Sequence, residues 1–409
     1  MVPIILAICL ACAPPIAAGD FELRGCIKGE AGTPIDGGET HKAELLARLR
    51  GKLETRLVTA WIETDGRWAE ESQPGADLRE AAVRTRINRL ELTAGQQIVV
   101  WGRTDEYNPT DLINPEDYRE FLFLEKAERK LGLPMIRVRC DWAAVDADLV
   151  LAAPGRGHRY PDHDSPWEPE ALAQARSWAR ESPLITLQPD HTAPLTLANL
   201  ARALRLRWRN RLMEAGVMVY QGLDHFTHYS ALVEGDSLRL IPGHAHIIAY
   251  GADWFIPAGD YGFRMEAAII NGRLLNSMDP GSFDQLQEKD QYMVVAGIDR
   301  TFMDDLYVNA QLLLSGFTSD VRDTAEPEQL RAVGTSITYS LLETDLVIGL
   351  EAVVDIGERG LYVTPSVSCR ATGGVTLEAG CHLIAGDEAS YWGRFTANDY
   401  CYFSATLHY

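Results

Sequence analysis

Apolar and polar residues alternate with a period of two from about residue 43 to the end of the chain. In 45–61 one phase holds Leu45, Ala47, Leu49, Gly51, Leu53, Thr55, Leu57, Thr59 and Trp61, and the other holds Arg48, Arg50, Lys52, Glu54 and Arg56. Ile136, Val138, Cys140 and Trp142 alternate with Arg137, Arg139 and Asp141. Leu204, Leu206 and Trp208 alternate with Arg205, Arg207 and Arg209. The same rhythm returns in Phe263, Met265, Ala267 and Ile269, and again in Val375, Leu377, Ala379, Cys381 and Leu383. A period of two predicts strands with one apolar and one polar face.

A soluble sandwich would alternate as well, so the connections decide. Long breaks at 63–79, 104–132, 154–199, 223–236, 272–290, 317–328 and 386–397 are interleaved with short ones at 94–95, 143–145, near 212, 303–305, 342–344 and 371–374 and a modest one around 252–257. Only the short 356–360 link departs from the alternation. Short turns at one end and long loops at the other predict an all-β fold, a transmembrane antiparallel up-and-down β-barrel of about 16 strands. The number rises to about 18 if 20–29 pairs and 43–62 is a hairpin. The last strand, Cys401, Phe403, Ala405, Leu407 and Tyr409, is apolar in alternation and ends on an aromatic residue. It is similar to the C-terminal strand of bacterial outer-membrane proteins, with Tyr in place of the commoner Phe.

Residues Val2 to Ala18 are uncharged, mostly apolar and end in small residues. They read as a secretory signal (1–19) cleaved near Ala18 or Gly19, although no Lys or Arg precedes the run. Residues 20–409 then form one barrel domain in the outer membrane. Its expected surroundings are membrane lipid, lipopolysaccharide and the barrel-assembly machinery. Lys+Arg 38 against Asp+Glu 58 gives a net charge of −20, which excludes nucleic acid as a partner. Cys26, Cys140, Cys369, Cys381 and Cys401 are odd in number and scattered. They read as small hydrophobes facing lipid rather than as a disulfide framework or zinc site.

The polar phase should line the lumen, because lipid cannot solvate charge. Its early strands offer Arg48, Arg50, Lys52, Arg56, Arg84, Arg86, Arg137, Arg139, Arg205, Arg207 and Arg209, and its later ones Glu266, Asp299, Glu351, Asp355 and Glu378. That order predicts a basic wall opposite a more acidic one, or, alternatively, Arg residues that pair with loop carboxylates and fill the lumen. In the loop 104–132, Asp105, Asn108, Asp111, Asn114 and Asp117 recur every third residue, and Glu116 to Leu131 reads as a short helix. This loop is a candidate constriction, and 154–199, with His158, His163, His191 and a helical stretch at Glu168–Glu181, a candidate lid. Neither histidine spacing nor oxygen pattern matches a metal site, and no cofactor is expected.

Gln97 to Asp105 with its Trp101-Gly102, followed by Asn108-Pro109-Thr110-Asp111 and Asn114-Pro115-Glu116-Asp117, resembles an uncharacterised family of Gram-negative outer-membrane barrels. Arg264 to Ala268, Gly297-Ile298-Asp299 and Pro365 are similar too. The resemblance implies a porin-like transporter, in some cases linked to export pumps of the resistance-nodulation-division type, and supplies no catalytic residues. The expected function is a channel for a polar, anionic or zwitterionic solute. The second reading is a partner that exports lipids or other amphiphiles with a periplasmic pump, and the third is an outer-membrane hydrolase. No Gly-x-Ser-x-Gly, phosphate loop or His-Glu-x-x-His is present, so no enzyme is expected; His382 and Glu378 stand ~13 Å apart on one strand face.

Overall fold

The computed structural model describes residues 19–35, 42–69, 72–104, 107–120, 126–155, 157–162, 165, 167–277, 285–321, 324, 329–341, 345–371, 373–387 and 390–409. The signal segment lies outside them, as do Asp105 and His163. In chain order the strands are β1 (Asp20–Pro34), β2 (Lys42–Glu54), β3 (Val58–Ala69), β4 (Ser72–Ile87), β5 (Leu90–Gln97), β6 (Leu133–Trp142), β7 (Val145–Ala152), β8 (Ile185–Leu187), β9 (Ala201–Arg209) and β10 (Glu214–Leu223). They continue as β11 (His228–Glu234), β12 (Ser237–Gly243), β13 (His246–Ala258), β14 (Tyr261–Asn276), β15 (Leu286–Phe302), β16 (Leu306–Phe317), β17 (Gln329–Leu341), β18 (Leu346–Asp355), β19 (Gly360–Arg370), β20 (Val375–Ala385) and β21 (Tyr400–His408). Helix α1 (Lys126–Arg129) follows β5, and α2 (Glu170–Glu181) follows β7.

Eighteen of these strands form one antiparallel sheet, and β1 pairs with both β2 and β21, so the sheet closes on itself. The closing seam runs to the last residue: Gly25 N–H donates to the Tyr409 carbonyl at 2.9 Å, and Tyr409 N–H donates back to Gly25 at 3.0 Å. Closure leaves no open edge, which a strand structure in hydrocarbon requires. The outward phase is apolar and exposed around the barrel, as with Leu45, Leu49, Ile136, Leu204, Leu206, Phe263, Leu312 and Phe403. Replacing Leu206 with Arg near the bilayer midplane is expected to cost about 2–4 kcal/mol. The yield of heat-modifiable barrel should fall accordingly in a refolding gel.

Turns such as 55–57, 88–89, 143–144, 210–213 and 303–305 crowd one end, where residues 20 and 409 also lie, and the longer connections share the other. The strand number is 18 rather than about 16, because residues 20–34 pair as β1 and because 43–62 is a hairpin rather than one strand. The β2–β3 turn contains neither Gly nor Pro; Thr55 Oγ1 makes it by accepting the Val58 N–H at 3.0 Å and donating to the Val58 carbonyl at 2.9 Å. The run 45–61 is therefore a hairpin whose phase flips at the turn. Leu45 to Leu53 face out, but Thr59 and Trp61 share the inward phase with Glu63 and Asp65. Arg56 stands in that turn, not on a lumenal strand. A second correction concerns 252–257, which is continuous strand; the chain reverses at Gly259, where φ is +63°.

The cysteines also need correction. Register sets Cys381 opposite Cys401 on β20 and β21, and their sulfurs are joined in a disulfide, while Cys26, Cys140 and Cys369 are free. Scattered numbering hid a pair that only strand register brings together. Outside the barrel, β8, β11 and β12 form a small sheet over the long-loop end, with α2 packed against it.

Candidate functional site: the lumen and its inward loop

The β5–β6 loop (98–132) runs through the barrel interior. Val99, Trp101 and Ile113 pack against inward residues of β6, β7, β9, β10, β13 and β14, and Tyr107 reaches the cluster containing Val295, Leu313, Val353 and Tyr362 on the far wall. Its backbone is held by side chains. Glu266 of β14, fully buried, accepts from the N–H groups of Arg103 and Thr104 and from the hydroxyls of Thr104 and Thr110. Gly102 permits that approach: its φ is +108°, and a Cβ there would sit 2.8 Å from the Glu266 carboxylate. The Trp101-Gly102 segment and β14 thus touch each other inside the barrel.

The polar residues recurring every third position build this loop. Asn114 accepts the Val99 N–H at 2.8 Å and donates to the Gln97 and Leu131 carbonyls. Asp111 and Glu116 both bind Lys130, at 3.1 and 2.9 Å, in a pocket that leaves its side chain 1% exposed. Asp117 pairs with Arg119 and Arg159, and Asn108 accepts from the Thr104 hydroxyl. Further out, Glu120 meets Lys42 and Arg67 on β2 and β3, and Glu128 meets Arg48 at 2.9 Å. The predicted helix shrinks, among the described residues, to α1.

The arginines of the early strands do face inward, but most meet acids on neighbouring strands rather than an empty lumen. Arg48 binds Asp65 at 2.8 Å, Arg137 binds Asp148, Arg207 binds Asp146 at 2.8 Å and Arg205 binds Asp253 at 2.8 Å. Arg139 and Arg84 share Glu91, Arg86 lies 3.5 Å from Asp141 and Lys52 pairs with Glu54. Arg209 closes the β9 ladder opposite Glu214. Among the acidic residues, Asp299 binds Arg264 at 3.1 Å, Asp355 caps the following turn, and Glu378 accepts from the Tyr402 hydroxyl at 2.6 Å. His382 Nδ1 sits by Tyr362 and Thr364, so this histidine and Glu378 turn to different partners. The paired acids Asp65, Glu91, Asp146, Asp148 and Asp253 were legible as members of the inward phase, but their partners were not.

Two spaces remain. Toward the long-loop end a cavity of about 260 Å³ lies between the inward loop and the far wall, lined by Lys126, Lys130, Arg273, Phe226, Glu351 and Trp392 among others. Arg273 is held by Asp224 at 2.8 Å and Lys130 by its two acids, whereas Lys126 has no ion pair among the described residues. Burial pushes the Lys126 ammonium down to about 8; Asp111 and Glu116 oppose the shift, and Lys130 and Arg129 add to it. Toward the short-turn end a vestibule of about 570 Å³ is lined by Arg24, Arg50, Lys52, Arg84 and Arg137 against Glu22 and Glu80. Trp61 stands in it, with Arg84 over its ring at 4.9 Å and its indole N–H on Glu80 at 3.1 Å. No group of three potential metal ligands occurs among the described residues, and His191 is exposed.

Solved barrels share this architecture. OccD3 (OpdP) of Pseudomonas aeruginosa superposes with a TM-score of 0.55 at 8% identity, covering 98% of this chain and 96% of that one. OpdK of the same organism, solved with vanillate, gives 0.52 at 9% identity over 95% and 98%. Salmonella typhi OmpF, in complex with daunomycin, gives 0.50 at 9% identity over 96% and 98%. These likenesses show the fold. No family model matches the chain, and no curated protein matches it in sequence.

Proposed function

We propose that the chain is an outer-membrane, porin-like channel that passes a polar, anionic or zwitterionic solute. The vestibule carries the reading: Arg24, Arg50, Lys52, Arg84 and Arg137 line a water-accessible space, each beside an acid, and Arg50 and Arg84 keep 49% and 43% of their side chains exposed to it. Fixed charge inside a low-dielectric wall concentrates counter-ions at the mouth, and the inward loop narrows the path beyond it. Arg205 of β9 contributes less, because it is buried against Asp253 and offers no solvated charge.

The triple variant Arg50→Gln, Lys52→Gln, Arg84→Gln removes three part-exposed charges, each with an acid beside it, and leaves the buried Arg48–Asp65 and Arg205–Asp253 pairs alone. In a planar bilayer under a salt gradient, its reversal potential should move toward cation preference, most at low salt, where the Debye length is longest. An unchanged reversal potential would remove the vestibule from the mechanism. If the folded wild-type barrel carries no ion current at all, export of amphiphiles received from a periplasmic pump becomes the better reading.

A further inference from the structure

Four of the chain's ten histidines, His158, His225, His228 and His244, gather where three connections meet: 98–132, 153–200 and 224–245. The junction is a set of hydrogen bonds between loops. Glu116 N–H donates to His158 Nδ1 at 2.9 Å, and His225 Nε2–H donates to the Ile113 carbonyl at 3.1 Å. His158 N–H donates to the His225 carbonyl at 2.8 Å, and Arg159 N–H donates to the Glu116 carbonyl at 2.9 Å. The His158 ring lies against Phe226, Tyr118 and His225, with centroids 4.7, 5.0 and 5.7 Å away.

We propose that this histidine junction is an acid-released latch that holds the upper part of the inward loop in place at neutral pH. The geometry makes His158 the trigger. Its Nδ1 accepts a backbone N–H, so a proton added there would face the Glu116 hydrogen and break the bond. The surroundings also oppose a second charge. Lys130 and Glu116 of the inward loop, His225 and, from β14, Arg273 act on His158, whose ring also meets Tyr118, itself under Arg129, and Tyr160; His225 in turn faces Asp224, Lys130 and His244. Burial pushes His158 well below the ordinary histidine value, and repulsion from His225 adds to it. Burial also pushes His225 down to about 4, against the pull of Asp224. His228 is lowered by burial and by His244, whereas Asp190, 3.3 Å from His244, overcomes burial and raises that residue.

The sign follows from linkage. The latched state favours neutral His158 and His225, and a released loop returns them to ordinary behaviour near pH 6.5. The latch is complete above about pH 6.5, and each unit below it weakens the latch about tenfold per histidine until the latched form itself protonates. This adds a control to the proposed channel, but it can be read without any solute passing.

Hydrogen exchange on the refolded full barrel at pH 7.5 and 4.5, corrected for intrinsic rates, is the test. Amides of Glu116, Tyr118 and Arg159 should lose protection at least tenfold at the lower pH and regain it on return, while those of β15–β20 stay protected. His158→Gln with His225→Gln keeps polar side chains but removes both titrations, so its exchange should not change with pH. Heat-modifiable mobility verifies that this variant folds. Equal protection of the wild type at both pH values would overturn the latch. So would an unaltered pH profile in the double variant, and His158→Gln alone, which retains an acceptor, repeats that comparison if the double variant fails to fold.

Discussion

Glu266→Ala is expected to free the first half of the inward loop and raise the single-channel conductance. The carboxylate is fully buried and takes four donors from Arg103, Thr104 and Thr110. Its removal leaves two backbone N–H groups inside the barrel without that acceptor, at about 1–3 kcal/mol for each stranded donor. Arg103 would still reach Asp253 at 2.6 Å and Glu214 at 2.7 Å, so the barrel should fold while the loop loosens. Planar-bilayer recording should show a larger, noisier step than the wild type, with heat-modifiable mobility retained. A step of unchanged size would mean that residues 102–110 do not limit the path.

Lys130→Met should be the most damaging single change in the second half of the loop. The ammonium lies between Asp111 and Glu116, both buried. Removing one partner from a buried ionic group costs about 3–5 kcal/mol; here Asp111 loses its ion pair and Glu116 is left with Arg129 at 3.8 Å. Residues 107–131 should become sensitive to trypsin, with Lys126 and Arg129 as cleavage points, in a barrel that still migrates as folded. Adding Asp111→Asn and Glu116→Gln should restore resistance, whereas rescue by neither would show that the triad does not hold the loop.

The pH dependence of this triad has a definite sign. Burial disfavours the Glu116 carboxylate, but Lys130 and then Arg129 outweigh it and hold the group well below the usual carboxylate range. A carboxylate depressed in the folded loop contributes stability above its ordinary value of about 4.3, and loses it as the pH falls further. This loss begins at about pH 4.3, about two units below the onset of the histidine response at about pH 6.5, and continues to lower pH. A protection profile across pH 7.5 to 3 should therefore fall in two steps, and only the lower step should vanish in the rescued triple variant.

Legibility in the sequence differed from residue to residue. Leu204, Leu206 and Trp208 were assigned to the lipid side and Arg205, Arg207 and Arg209 to the lumen from period alone, and the strand register agrees. Trp61 was assigned to the wrong face, because a turn built on Thr55 lacks the Gly or Pro that would have marked it. The oxygen-rich residues of 104–117 pointed to the right loop, but Asn114 and Asp111 serve its backbone and Lys130 rather than the open lumen. His225 and Arg273 carried no local signal, since each matters through a partner far away in sequence.

The sequence by itself determined the strands, the lipid-facing and lumen-facing sides of most of them, and the sorting of short turns to one end. Alternation and turn length are properties of a few neighbouring residues, and a bilayer enforces them strand by strand. Only the tertiary structure decided that 18 strands close through the β1–β21 seam, that Cys381 meets Cys401, and that Glu266 ties down a loop more than 150 residues away. It also separated Arg48 and Arg205, bound to Asp65 and Asp253, from Arg50 and Arg84, which keep about half of their side chains exposed in the vestibule. Pairing across strands depends on register around a closed ring and on where a long loop folds, and neither is encoded in the local period.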